Sequence, residues 1–312
     1  MNWKNKARVL NLISPLPKPL SYNLHYQMQR HFGGLKRPYN PTGAISVAIE
    51  ILNRIQKTGG TPIGKTFFEV GTGWCPVVPL VYWLAGAEKI ITVDLNLYLR
   101  KELIEETLLQ LKKDNKFIIS ELCKWGGGVE ERFVKLSKFF GAKIRLQDFL
   151  ELCHITYYAP YDAARTNLPN TCIDYYTSNA VFEHIPFNVL EDILVEGNRI
   201  IKEDGMFVHN IDYSDHFAYG DKNISAINFL QYDDVKWYKY GKNAYVNRLR
   251  HDDFIMLFEK VNHEILEITV RKDENVQKIL EEERLQISEK LKLKSNEILS
   301  ITGACFITKK NK

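Results

Sequence analysis

Thr66-Phe-Phe-Glu-Val-Gly-Thr-Gly-Trp-Cys-Pro76 is the stretch on which the fold turns. Residues 66–70 are rich in β-branched and aromatic side chains and read as a short buried parallel strand. Gly71 and Gly73 then mark a tight turn, and Pro76 suits the first turn of a helix over 76–84. The other half of the signal is Lys89-Ile-Ile-Thr-Val-Asp-Leu-Asn96, a second strand ending on Asp94, 21 residues beyond Gly73. A glycine turn followed by an acid at the end of the next strand is how a doubly wound sheet grips a ribose.

A dinucleotide fingerprint would need a third glycine for close helix packing, and Pro76 stands there instead. The spelling acid-x-Gly-x-Gly fits Glu69, Gly71 and Gly73. This stretch resembles motif I of the class I S-adenosylmethionine-dependent methyltransferases, with Cys75 where that family often has one more glycine. The resemblance covers roughly 66–211 and reaches the C-terminus only as a strand pattern. It implies an α/β, doubly wound, seven-stranded and mostly parallel Rossmann-like sheet whose seventh strand slips between the fifth and sixth. It also implies S-adenosyl-L-methionine as cofactor. Asp94, with Leu95 beside it, would meet the ribose hydroxyls. Gly71, Thr72 and Gly73 would let the backbone approach the methionine part, and Glu69 would recognise its ammonium group. By the same resemblance Asp162 and Ala163 fall against the adenine, and Asn179 falls beside the methyl-transfer centre.

Composition bounds the function. The net charge of +4, from 42 basic and 38 acidic residues, is too balanced to imply a nucleic-acid partner. Five scattered cysteines with no CxxC pair fit a reducing cytoplasm better than a disulfide scaffold. No apolar run approaches the roughly 18 residues of a membrane span, and residues 1–20 lack the apolar core of a signal peptide. The expectation, with the resemblance, is a cytoplasmic enzyme that transfers a methyl group to an oxygen or nitrogen of a small polar acceptor, such as a saccharide or glycan precursor, with a homo-oligomer possible.

The chain in order gives a helical N-terminal extension over 1–60 and a methyltransferase domain over 61–312. Helices are expected over 2–13, 22–32 and 44–57, the last with Ile45, Ala48, Ile49, Leu52 and Ile55 on one face. Asp94 and Asp162 stand 68 residues apart, more than a simple crossover needs, so about 115–152 reads as a helical insertion. It is a candidate lid or oligomer contact, or a surface excursion. Strands follow over 155–158, 173–178 and 205–211, then two more over 264–270 and 300–308 with a helix over 275–291 between them. Between them and the fifth strand, 212–250 is dense in aromatics. It reads as a cap over the acceptor, with Tyr240, Tyr245, Arg248 and Arg250 as substrate contacts. A satellite core is the plainer reading of the same rings.

Two imidazoles are candidate general bases, His184 and His209. The pair Glu183-His184 looks like a segment of the ubiquinone-biosynthesis O-methyltransferases, in which an acid three positions before the Glu joins a metal site. That position is Ala180 here, so no metal is expected. His209, Asp212, Asp215 and His216 lie close in sequence and read as a hydrogen-bonded loop sooner than as a metal centre. Two alternatives stand beside the methyltransferase reading. One is a nicotinamide-dependent oxidoreductase, which Pro76 opposes. The other is a non-catalytic protein of the same fold.

Overall fold

Seven strands form one mixed sheet in the computed structural model, which describes residues 2–242 and 246–311. They are β1 (Thr66–Val70), β2 (Lys89–Val93), β3 (Ile155–Tyr158), β4 (Ile173–Asn179), β5 (Ile201–Asp212), β6 (His263–Lys272) and β7 (Ile301–Lys310). Their order is β3-β2-β1-β4-β5-β7-β6. β1 pairs in parallel with both β2 and β4, and β2 pairs in parallel with β3. The order reverses beside β1, so the crevice of a switch point lies at the carboxyl ends of β1 and β4. The last strand lies between β5 and β6, as the resemblance implied, whereas the usual dinucleotide order runs 3-2-1-4-5-6.

The chain divides into two compact units. One gathers Met1–Lys36, Ala180–Glu191 and His209–Phe306, the other Arg37–Asn179, Asp192–Val208 and Ile307–Lys312. The helices before residue 60 are divided between the two units. Helices Trp3–Ile13 and Lys18–Phe32 fall in the first unit, and helix Thr42–Lys57 falls in the second.

In the second unit, helix Thr42–Lys57 buries the expected stripe of Ile45, Ala48, Ile49, Leu52 and Ile55. Helix Val77–Leu84 is buried along its whole length, which explains why its sequence shows no polar face. Pro76 is its N-cap residue, where a missing N–H costs nothing. Helix Lys101–Lys113 buries Leu103, Ile104, Leu108 and Leu111, and carries Glu102 in its first turn and Lys112 and Lys113 in its last, each favourable to the helix dipole.

The insertion between β2 and β3 holds helices Asn115–Leu122, Val129–Ser137 and Leu146–Leu152. Its Arg132 guanidinium donates to the carbonyls of Trp83, Ala87 (2.8 Å) and Gly86 (3.4 Å), which close the C-terminal end of helix Val77–Leu84. Gly127 comes so near that an added Cβ would meet the Ala85 carbonyl oxygen at 2.5 Å. Both grips fall at the end of that helix remote from the glycine turn, about 12 Å away along an 8-residue helix. What these contacts show is a packing layer, and neither reaches toward the turn as a lid would.

The first unit has its own aromatic core. Trp3 is 4% exposed, and its ring lies 5.0 Å from Tyr240, 5.5 Å from Phe217 and 5.8 Å from Tyr232. Asp221 accepts the Trp3 backbone N–H at 2.9 Å, and the Asn2 side chain caps the same helix through Lys4 N–H. Most of the rings that suggested a cap over the acceptor thus pack on one another and on the N-terminal helix.

Candidate functional site

The crevice residues of the second unit are tied together by hydrogen bonds. Gly71 and Gly73 both take positive φ (91° and 66°), which a side chain would oppose. A Cβ built on Gly73 would project into open space, so the backbone there is bare toward the crevice. The Asp94 carboxylate accepts the Gly73 N–H through one oxygen (2.9 Å) and the Asn96 N–H through the other (3.0 Å). The acid at the end of β2 therefore holds the glycine turn after β1. A carboxylate has about four lone-pair sites, so acceptor capacity remains for two hydroxyls.

The Asp162 loop is brought to the same place by backbone bonds. Asp94 N–H donates to Tyr158 O (3.0 Å), and Tyr161 N–H donates to Asp94 O (2.9 Å). Asp162 is exposed and accepts the Ala164 N–H at 2.9 Å, while Ala163 is buried. Leu95 is 70% exposed. Asn179 ends β4, one residue beyond the Val70–Ser178 pair, and so stands level with the turn.

Glu69 lies deeper. It is 2% exposed and sits in register between Thr92 on β2 and Thr177 on β4. The Thr92 hydroxyl donates to its carboxylate at 2.9 Å and meets Thr72 Oγ1 at 2.6 Å. Thr92 is the residue that motif reading missed. Its signal was present, as the one hydroxyl in the apolar run Ile90-Ile-Thr-Val93 and directly across from the motif acid. Burial pushes the Glu69 pKa up to about 8, against the lowering pull of the Thr92 hydrogen bond and with a smaller push from Asp94.

The first unit carries a second group of polar residues. The turn Phe182–His184 follows β4, and Asn247 clamps it from both sides. Asn247 Nδ2 donates to the carbonyls of Phe182 and Ile185, each at 2.8 Å, and Asn247 N–H donates to Glu183 O at 2.7 Å. Glu183 is 1% exposed, yet neither carboxylate oxygen has a hydrogen-bond partner among the described residues. Burial holds its pKa well above the ordinary range, outweighing the weak lowering pull of nearby backbone N–H groups. His216 Nε2 lies 3.9 Å from Glu183 Oε1 and 3.4 Å from Asp212 Oδ2, and its ring stands edge-on to the exposed His184 ring at 4.8 Å. Asp212 is further held by Ser214, Tyr219 and Arg271; burial raises its pKa, but hydrogen bonds from His216, Ser214 and Tyr219 outweigh burial and keep it far below the usual carboxylate value.

Several expected site residues turn out to serve the fold. His209 is fully buried, stacked on Phe182 at 4.2 Å and on Phe258 at 5.8 Å. Burial first, and neighbouring His263 second, hold its pKa well below the ordinary imidazole value, so it is not placed to serve as a solvent-accessible base. Arg250 is 0% exposed and donates to the carbonyls of Tyr213 (2.7 Å), Ile301 and Leu299 (3.4 Å), which leaves no fork for a substrate. Arg248 likewise faces inward, bound to the carbonyls of Phe229 and Tyr232 and to Asp234. Tyr240 packs on Trp3 and Tyr232. Tyr245 lies outside the described residues. Asp215 is buried and bonded to Asn228 (2.9 Å) and the Phe217 N–H (2.9 Å), a structural acid.

No family model and no curated protein matches the chain. Among solved structures it is similar to geranyl diphosphate C-methyltransferase from Streptomyces coelicolor A3(2), at 11% identity and a TM-score of 0.46 over 85% of this chain and 79% of that one. It is also similar to a SAM-dependent methyltransferase from Methanosarcina mazei, at 12% identity and 0.47 over 82% and 96%. A third similarity is to an N-methyltransferase from Haemonchus contortus, at 13% identity and 0.47 over 86% and 53%. The strand order of the sheet, and not these likenesses, carries the fold.

Proposed function

We propose that the chain is an S-adenosylmethionine-dependent methyltransferase acting on an oxygen or nitrogen of a small polar acceptor. The observation that carries this reading is the bond from Gly73 N–H to Asp94, which joins the glycine turn to the strand-end acid at the switch point of the sheet. The position of β7 between β5 and β6 favours this cofactor over a dinucleotide. Asp94 would hold the ribose, Gly71-Thr72-Gly73 the methionine part, Glu69 its ammonium group, and the Asp162–Ala163 loop the adenine. When bound, the cofactor supplies a methyl group already activated on a sulfonium, so the chain's part is to hold and align the reactants. Of the two imidazoles offered as base, His209 is removed by burial and His184 remains accessible. Support for a saccharide acceptor rested on tyrosines free to cover it. Tyr240 is spent on packing, so the acceptor is proposed only as small and polar, consistent with the even charge balance.

The test is a pair of thermal melts. S-adenosylhomocysteine raises the melting temperature and NAD does not, because only a ligand that binds the native state shifts the transition. Stabilisation by NAD alone overturns the proposal in favour of an oxidoreductase. A stabilising effect of S-adenosylhomocysteine with no transfer to any of a broad acceptor panel would instead favour a non-catalytic protein of this fold.

Asp94→Ala supplies a sharper check. It weakens S-adenosylhomocysteine binding by about 1–3 kcal/mol, roughly 5- to 150-fold, through loss of the ribose contacts and release of the Gly73 N–H. Isothermal titration measures it, and an unchanged affinity would remove Asp94 from the site.

A further inference from the structure

Glu183 is the least explained polar side chain of the first unit. A buried carboxylate without a hydrogen bond keeps its full desolvation penalty, and native proteins rarely leave one so unless an ion or a proton completes it. Its surroundings are those of a ligand set. One donor atom each from Glu183, His184 and His216 lies within 4.8 Å of the others. Ligands at ~2.1 Å around a tetrahedral ion stand ~3.4 Å apart, so side-chain adjustments of about an ångström would bring all three onto one ion.

We propose that Glu183, His184 and His216 bind a divalent transition-metal cation of the zinc, cobalt or manganese class, with a coordination position left open. The mixture of imidazole nitrogens with one carboxylate oxygen suits those ions and is poor for magnesium or calcium, which prefer all-oxygen shells. The platform is built in advance. Asn247 holds the turn carrying Glu183 and His184 through its bonds to Phe182, Glu183 and Ile185. Asp212 Oδ2 stands 3.4 Å from His216 Nε2, the nitrogen that also lies 3.9 Å from Glu183 Oε1, so an ion bound at that nitrogen takes the place of its contact with Asp212. The pair Glu183-His184 had been set aside because Ala180 lacks a carboxylate, and the third donor comes instead from the loop after β5. His216 was assigned to that loop and not to this pair. A metal here recruits His184 as ligand, which takes it out of the role of base.

The experiment does not depend on any activity. The full chain is stripped with a chelator, dialysed, and titrated separately with Zn²⁺ by calorimetry and with Co²⁺ by visible absorption. One equivalent binds, and Co²⁺ gives the intense visible bands of a low-coordinate nitrogen–oxygen site. Glu183→Gln and His216→Ala each weaken binding by about 100-fold or more, beyond the 10- to 100-fold typical of an outer partner. His31→Ala, an exposed histidine elsewhere, leaves it unchanged. Circular dichroism and melting curves establish that each variant is folded before its titration is read. Absence of binding by the wild-type chain, or binding that survives both substitutions in folded protein, overturns the proposal. The latter result would place the ion on other groups, such as the thiols.

Discussion

Arg250→Ala lowers the free energy of unfolding by about 3–5 kcal/mol, and any effect on an acceptor follows only the fraction of protein folded. The side chain is 0% exposed and its guanidinium serves the carbonyls of Tyr213, Leu299 and Ile301 at once. Burial costs this cation enough to depress its pKa to about 10, so removing it recovers some solvation. The loss is larger. Up to three carbonyls forfeit a charge-assisted donor at about 1–3 kcal/mol each, and the void left by so long a side chain adds a cavity cost of about 2 kcal/mol or more. Arg250→Met separates the two contributions, because it fills most of the volume and restores no donor. It should fall between wild type and Arg250→Ala. Urea denaturation with unchanged slope reads the stabilities directly. Near wild-type stability combined with a raised acceptor KM would return Arg250 to the substrate site.

Arg250 also shows where sequence reading stops. An arginine in an aromatic, loop-rich stretch has the same appearance whether it faces a phosphate or internal carbonyls, because only the fold decides which carbonyls lack donors. The same holds for the aromatic segment. Its density announced burial correctly, but the partner, Trp3 of the N-terminal helix, is more than two hundred residues away in sequence, and no local period reports such a pairing. By contrast, β1, β2 and the turn between them were legible because their signals are local. Alternation of strand and turn, positive-φ glycines and a spacing of 21 residues each act over a short span.

The lengths of elements were legible to within a few residues where a face is buried, and less so at polar ends. β5 starts at Ile201, four residues before the expected 205, since the acid-Gly pair Asp204-Gly205 lies inside the strand and does not turn it. The helix expected over 275–291 ends at Glu281, after which Glu283 takes φ 50° and the chain leaves the helical path. Charged residues at helical spacing favour a helix but do not require one, and past Leu280 the next buried apolar residue is Leu291.

Glu69 contributes a loss of stability to the ligand-free protein as pH rises from about 5 to about 8, and Glu69→Gln removes that contribution. The Glu69 pKa moves from an ordinary 4.5 to about 8 on folding, chiefly by burial. Between those values the unfolded chain has released this proton and the folded chain keeps it. Raising pH therefore draws the equilibrium toward the unfolded state, by a few kcal/mol across the whole interval. Asp94, whose pKa burial also raises, contributes with the same sign at the lower end, while Thr92 and Thr177 beside Glu69 do not titrate. Glutamine keeps the shape and neutrality of the protonated acid, so subtracting its pH profile from that of wild type isolates the Glu69 share. The measurement is a series of urea midpoints at fixed ionic strength. Identical slopes in the two proteins would show that Glu69 ionises normally and that the Thr92 bond outweighs burial. The same proton should appear in ligand binding. An ammonium group brought to Glu69 favours the carboxylate, so S-adenosylhomocysteine binding below pH 8 releases a proton and its affinity climbs with pH up to that value. Calorimetry in buffers of different ionisation enthalpy counts that proton. Release from wild type but not from Glu69→Gln would place the ammonium against this acid, whereas equal counts would locate it elsewhere along the crevice.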